Sequence, residues 1–247
     1  MSFDYHSVAG DYQYQALHSG HPMQRFWHRG KLTLIDRLVR NHLSAGSRLL
    51  EIGCGAGNLL LQAAVKGSYP VALDLSMQAL AFVRSRLEEA CSSPDAPRDF
   101  ACIQSIGELL PLPDASFDCI LLSEVIEHLP DPQVSIQEAA RVLRRGGRLL
   151  VTTPNYRSFW PVMEWAVDRM NMALPMAGEQ HISRFHPASL RRLLVGCGLG
   201  IEYTGTIYHL SPFISLISQS GAENRLLREI DHPSALGMIL VAVAIKS

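Results

Sequence analysis

Leu49-Leu-Glu-Ile-Gly-Cys-Gly-Ala-Gly-Asn-Leu-Leu60 is the stretch on which the reading of this chain turns. An apolar run of strand character leads into Gly53, Gly55 and Gly57 at alternate positions, and a run of helical character follows. Side chains at those positions would hold a ligand away from the main chain. The spacing therefore predicts a strand, turn and helix that embrace a nucleoside-like molecule. A glycine triplet alone is a weak signal, because such triplets recur in dinucleotide-binding proteins.

The next apolar run strengthens it. Val71-Ala-Leu-Asp-Leu-Ser76 leaves Asp74 at the C-terminal edge of a second strand, where open α/β sheets bind ligands. A carboxylate there can accept two hydrogen bonds from a ribose diol, each contributing roughly 1.5–3 kcal/mol. Asp74 could instead cap the following helix, a role that suits Ser76 equally.

Further out, short apolar runs alternate with helical patterns, the rhythm of βαβ units around a mainly parallel sheet. Strands are expected at 48–52, 70–73, 100–104, 117–122, 147–153, 199–206 and 237–245, with helices at 58–65, 77–90, 134–143 and 187–197. Residues 27–40 carry apolar side chains near helical period and predict an amphipathic helix beside the first strand. We read residues 1–247 as one domain, with an N-terminal helical cap over 1–46 and cap insertions at 156–178 and 207–233.

Composition narrows the class. The chain has 247 residues, 47% of them hydrophobic, and a formal net charge of −1, which excludes disorder and a basic nucleic-acid arm. The longest apolar run, residues 236–245, is about half of the ~20 that a spanning helix needs. The first residues lack the pattern of a signal peptide, so a cytoplasmic location is expected. The 5 cysteines show no C-x-x-C spacing and read as reduced thiols.

Four motifs in order carry a resemblance: Glu51-x-Gly53-x-Gly55-x-Gly57, Asp74, Leu110-Pro-Leu-Pro-Asp-Ala-Ser-Phe-Asp118, and Leu143-Arg-Arg-Gly-Gly-Arg-Leu149. Together they resemble class I S-adenosylmethionine-dependent methyltransferases, densely over residues 47–153 and closest to small-molecule O-methyltransferases of the ubiquinone-pathway type. The resemblance implies a Rossmann-like, doubly wound seven-stranded sheet of order 3-2-1-4-5-7-6 with the last strand antiparallel. It assigns Glu51 to the methionine end of the cofactor, Gly53, Gly55 and Gly57 to backbone approach, and Asp74 to the ribose. Many relatives carry an adenine-binding Asp where this chain has Ile106. Ser105, Ile106, Gly107 and Leu75 are expected to form the adenine slot instead, and Ser123 completes the cofactor set. A dinucleotide dehydrogenase fits less well, since G-x-G-x-G departs from G-x-G-x-x-G.

After the fourth strand comes Leu122-Ser-Glu-Val-Ile-Glu-His-Leu-Pro-Asp-Pro132. On a helical turn, Glu124, Glu127 and His128 would share one face, a set suited to a divalent cation such as Mg. The Glu-x-x-Glu-His pattern resembles the ubiquinone-pathway enzymes, where it implies a cation-bound, catechol-like substrate. Without a cation, the same resemblance makes His128 the general base. Gly178-Glu-Gln-His-Ile-Ser-Arg-Phe-His-Pro187 adds His181, as base, as ligand or as a structural hydrogen-bonding group, and places His186 at a helix start. Arg141, Arg144, Arg145 and Arg148 read as a solvated helix end and turn.

The Met- and Trp-rich segment 158–176 reads mainly as the core of a helical lid, and secondly as an adaptable wall for an apolar acceptor. A third reading is shallow contact with a membrane surface, against which its few basic residues count. The expected function is methyl transfer from S-adenosylmethionine to a small, aromatic or apolar molecule, with O-methylation favoured over C- or N-methylation. The alternative is a non-catalytic scaffold that retains the fold. No nucleic-acid partner is expected.

Overall fold

The computed structural model describes residues 8–93, 96–97, 99–169 and 181–247. Its sheet is seven-stranded, in the order β3-β2-β1-β4-β5-β7-β6. The strands are β1 (Arg48–Ile52), β2 (Tyr69–Asp74), β3 (Ala101–Gln104), β4 (Phe117–Ser123), β5 (Leu143–Pro154), β6 (Leu199–Ile207) and β7 (Ile239–Lys246). β7 runs antiparallel to both of its neighbours, β5 and β6, whereas β1 pairs in parallel with β2 and β4.

Nine helices are described: α1 (Tyr12–His18), α2 (Pro22–Leu38), α3 (Asn58–Ala63), α4 (Met77–Cys91), α5 (Pro132–Val142), α6 (Trp160–Arg169), α7 (Pro187–Gly196), α8 (Ser211–Ile214) and α9 (Gln219–Asp231). The alternation of strand side chains assigns them to the two faces of the sheet. Leu49 enters a core with Phe26, Ile35, Leu60, Val83 and Leu226, so α2, α3, α4 and α9 cover that face. Leu50 and Ile52 enter the opposite core with Ile136, Ala139, Leu190 and Leu194, from α5 and α7. Each fully buried aliphatic side chain contributes roughly 1.5–3 kcal/mol, so burial on both faces fixes the strand register.

The helix starts follow local chemistry. Asp131 accepts a hydrogen bond from the Gln133 N–H ahead of Pro132, which moves the start of α5 two residues before the expected one. His186 and Ser189 form a reciprocal capping box at α7, the helix-start role read from the sequence. Arg141 departs from the solvated role expected of it. It binds Glu138, Asp114 and the carbonyls of Leu110 and Leu112, pinning the Leu-Pro-Leu-Pro segment to α5. Arg144 pairs with Asp118 and Arg148 with Glu202.

The segment 207–233 differs from the cap expected there. Its α9 packs beside α2 in the sheet-covering layer, because Ala222, Leu226 and Ile230 form one buried helical stripe. Glu229, 2% exposed, accepts from the Tyr208 N–H and the Ser211 hydroxyl and so ties α9 to α8. Of the expected lid, residues 170–178 lie outside the described residues. No helix among the described residues is long and apolar enough to cross a membrane.

Candidate active site

The C-terminal ends of β1, β2 and β4 open onto a cavity of about 390 Å³. The glycine turn forms one wall. The N–H groups of Gly53 and Cys54 both donate to the Leu73 carbonyl, at 2.8 and 3.1 Å, folding the turn back against β2. Gly53 has φ +69°, and a Cβ there would lie 2.5 Å from Val125 Cγ2. Both the backbone conformation and the close approach of the loop after β4 therefore require glycine.

Asp74 holds the turn from the next strand. One carboxylate oxygen accepts from the Gly55 N–H at 2.8 Å and the other from the Ser76 N–H at 2.8 Å. Ser76 caps α4 with its own hydroxyl, so that role does not fall to Asp74. Each carboxylate oxygen has a second lone pair, which leaves the aspartate able to accept further hydrogen bonds. Leu75 and Ile106, 39% and 45% exposed, present apolar surface to the same cavity. Ser105 and Gly107 also line it, with the Ser105 hydroxyl donating to the Leu109 carbonyl at 2.6 Å.

Three residues of the expected cofactor set stand elsewhere. Glu51 is buried beneath α3, where its carboxylate accepts from the Leu60 N–H at 3.0 Å. Gly57 occupies the helix N-cap position and has no side chain to cap with, so Glu51 satisfies that donor from the neighbouring strand. Burial pushes the Glu51 carboxyl up to about 8. Gly57 itself serves packing: its φ is +71°, and a Cβ would meet Val83 Cγ2 at 2.2 Å. Ser123 turns to Thr152, hydroxyl to hydroxyl at 2.7 Å.

The sequence reading missed the N-terminal contribution to the cavity. Gly10, Tyr12 and Gln13 line it, and the Gln13 carbonyl accepts from the Asn58 side chain at 3.2 Å. Gln13 packs so closely on the turn that a Cβ at Gly55 would lie 2.6 Å from its Oε1. No motif marks these residues; they are assembled only by the docking of α1.

At the end of β4, the expected cation set is not assembled. Glu124 has φ +54°, and the helical turn that follows is a 3-10 turn over Ile126–His128, so Glu124 does not share a helical face with Glu127 and His128. Lys31 of α2 takes the Glu124 carboxylate, Nζ to Oε2 at 2.5 Å. Among the described residues, the side chains whose ligand atoms all lie within 4.8 Å of one another are those of Glu127, His128 and His181. Two imidazoles with a single carboxyl group are not the oxygen-rich set that a hard cation such as Mg²⁺ takes. The residues present therefore do not fit that ion.

Glu127 is 1% exposed. Its Oε2 accepts from the Thr153 hydroxyl at 3.0 Å and its Oε1 has no hydrogen-bond partner. Burial first, and the charge of Glu124 second, push its carboxyl up to about 8. A carboxyl raised in the folded state favours folding while it keeps its proton. That contribution is full below the ordinary carboxylate range and is lost as the pH rises through about 8. In Glu127→Gln the amide cannot ionise. Thermal melts from pH 5 to 8 are expected to show the variant gaining on the wild type by up to about 1.4 kcal/mol per pH unit, with the gap constant above that range. A pH-independent gap would contradict the shifted carboxyl.

His181 is buried behind His128, their ring centroids 5.0 Å apart. Its Nδ1 lies 2.6 Å from Glu164 Oε1 and 2.9 Å from the Tyr156 hydroxyl, which itself donates to Glu164 at 3.0 Å. A carboxylate only accepts, so this arrangement assigns a ring proton to Nδ1. Burial, reinforced by the charge of Glu164, raises the Tyr156 phenol far above its ordinary range and keeps it a donor. Glu164 comes from α6, the helix in the segment read as a lid. Among its described apolar side chains, Trp160 is in the core with Met163 packed against it, whereas Val162 and Trp165 are exposed.

The chain matches the sequence profile of a methyltransferase domain over residues 21–204. It is 30% identical over 214 residues to the ubiquinone biosynthesis O-methyltransferase of Xylella fastidiosa, a match covering 82% of this chain and 85% of that one. An S-adenosylmethionine-dependent methyltransferase of Thermotoga maritima has the same fold, with a TM-score of 0.66 at 22% identity over 96% of this chain and 95% of its own. The magnesium protoporphyrin IX methyltransferase of Synechocystis PCC 6803, solved with S-adenosylhomocysteine bound, aligns with a TM-score of 0.65 at 16% identity over 98% of this chain and 96% of its own. With the motif order, the sheet order and the profile in agreement, this chain belongs to the class I S-adenosylmethionine-dependent methyltransferases.

Proposed function

We propose that the protein transfers the methyl group of S-adenosylmethionine to a hydroxyl of a small aromatic or apolar acceptor. The observation that carries this reading is a single cavity with the Gly53–Gly55 turn and Asp74 among its walls together with Glu124 and His128 from the end of β4. Its volume of about 390 Å³ lies within the range of small-molecule sites. The resemblance to an enzyme named for O-methylation in ubiquinone biosynthesis supports a hydroxyl acceptor.

Asp74 would receive the ribose hydroxyls, the glycine turn would admit the cofactor to the main chain, and Leu75 and Ile106 would enclose the adenine. Bound S-adenosylmethionine supplies an electrophilic methyl group on sulfur. The protein contributes mainly proximity and alignment, worth up to about 7–11 kcal/mol when the geometry is well set. The acceptor must also lose a proton, and a phenol with a pKa of about 10 needs a base at neutral pH. His128 lines the cavity and is the group we assign to that proton. His181, held by Glu164 and Tyr156, would position His128 from behind.

Calorimetry with S-adenosylhomocysteine, followed by mass-spectrometric assay of catechols and quinols with S-adenosylmethionine, tests the reading. Micromolar binding and a methyl ether product are expected. Failure to bind S-adenosylhomocysteine at millimolar concentration would overturn it.

A further inference from the structure

Against Glu124, one of the residues lining the cavity, stands a positive charge that the motif does not predict. Lys31 lies on α2, outside the βαβ framework, yet its side chain is only 11% exposed and ends on Glu124 Oε2 at 2.5 Å. Glu124 lines the cavity, and its other oxygen, Oε1, is buried with no hydrogen-bond partner. Its backbone has φ +54°, a conformation that non-glycine residues adopt mainly where surrounding contacts impose it. The Glu124 N–H donates to the Thr152 carbonyl at 2.9 Å, so backbone and side chain are both fixed.

The charge of Lys31 also acts on neighbouring groups. It lowers the Glu127 carboxyl, opposing part of the rise that burial causes, and acts on Glu51 in the same sense. On its own helix, His28 is pushed down to about 3, by burial first and by Lys31 second. A divalent ion approaching Glu124 would have to displace an ammonium already paired there and enter its field.

We propose that Lys31 is a positioning residue for methyl transfer: its ammonium balances Glu124 where the motif would suggest a divalent cation, and fixes that carboxylate for the bound acceptor. The Glu124 carboxylate then receives the acceptor's hydroxyl, and turnover needs no added metal. This inference rests on the O-methylation reading above, but its principal test does not.

The test uses the full chain stripped with chelator and titrated with Mn²⁺, followed by electron paramagnetic resonance. The wild type is expected to bind no Mn²⁺ below millimolar concentration. Lys31→Met, which frees Glu124, is expected to acquire a site that the double variant with Glu124→Gln lacks. With an active acceptor, chelator should leave wild-type turnover unchanged. Lys31→Met should lose about 100-fold in kcat, with the KM for S-adenosylmethionine within about twofold, and Lys31→Arg should restore most of the loss. Should Lys31→Met fail to fold, Lys31→Gln and Glu124→Gln make the same comparison.

Stoichiometric Mn²⁺ binding by the wild type, abolished by His181→Ala or Glu124→Gln, would overturn the proposal. So would full kcat in Lys31→Met. If no acceptor is turned over while S-adenosylhomocysteine still binds, the acceptor reading fails, and the Mn²⁺ titrations decide the role of Lys31 independently.

Discussion

Replacing Asp74 with alanine is expected to weaken S-adenosylhomocysteine binding by about 100-fold or more, measured by calorimetry. Two losses combine. The ribose would lose its charged acceptor, and hydrogen bonds to charged groups contribute roughly 1.5–3 kcal/mol each, so two of them are worth at least about two decades of affinity. The turn loses its tether as well, because the same carboxylate holds the Gly55 and Ser76 N–H groups at 2.8 Å. Asp74→Asn separates the two effects. The amide can keep an acceptor for the turn but has no charge, so its affinity should fall between wild type and alanine. Wild-type affinity in Asp74→Ala would remove the aspartate from the cofactor site.

His128→Ala is expected to lower kcat by about 10²–10⁴, the usual contribution of a positioned general base, while S-adenosylhomocysteine affinity changes less than about threefold. That split distinguishes a proton-accepting role from a structural one, since a collapsed cavity would weaken the cofactor too. His181→Ala should reduce kcat less, because its ring stands behind that of His128 at 5.0 Å rather than in the cavity wall. Glu164→Gln should resemble His181→Ala in kcat, since it removes the charge that orders the ring proton at Nδ1. Equal kcat in His128→Ala and the wild type would assign the base elsewhere.

Much of the sheet was legible because strand formation reports a local pattern. Residues 48–52 were expected as a strand and form β1, and the expected helix start at Asn58 is that of α3. Where ends moved, a local group moved them: Asp131 capped α5 early, and β5 begins at Leu143 because that residue already pairs with Phe117. The residues expected at the cofactor come together in part. Gly53, Gly55, Asp74, Leu75, Ser105, Ile106 and Gly107 all line one cavity. Glu51 and Gly57 belong to the same motif but face the packing of α3 and of Val83 in α4, which sequence spacing does not distinguish from facing a ligand. The end of the cavity at β4 was least legible, because the partners there are brought by α2 and α6, whose sequences carry no motif for the contact.

The sequence by itself determined the order of the strands, the family, and the turn that lays main chain bare beside Asp74, since these follow from residues adjacent in the chain. Only the tertiary structure decided which charges meet. Lys31 reaches Glu124 across 93 positions, and His181 finds Glu164 across 17. Such pairs are set by how helices dock on the sheet, and a left-handed residue at Glu124 turned a helical spacing rule into the wrong neighbour. Local patterning builds the frame; burial, which excludes water and strengthens every remaining charge interaction, selects the partners.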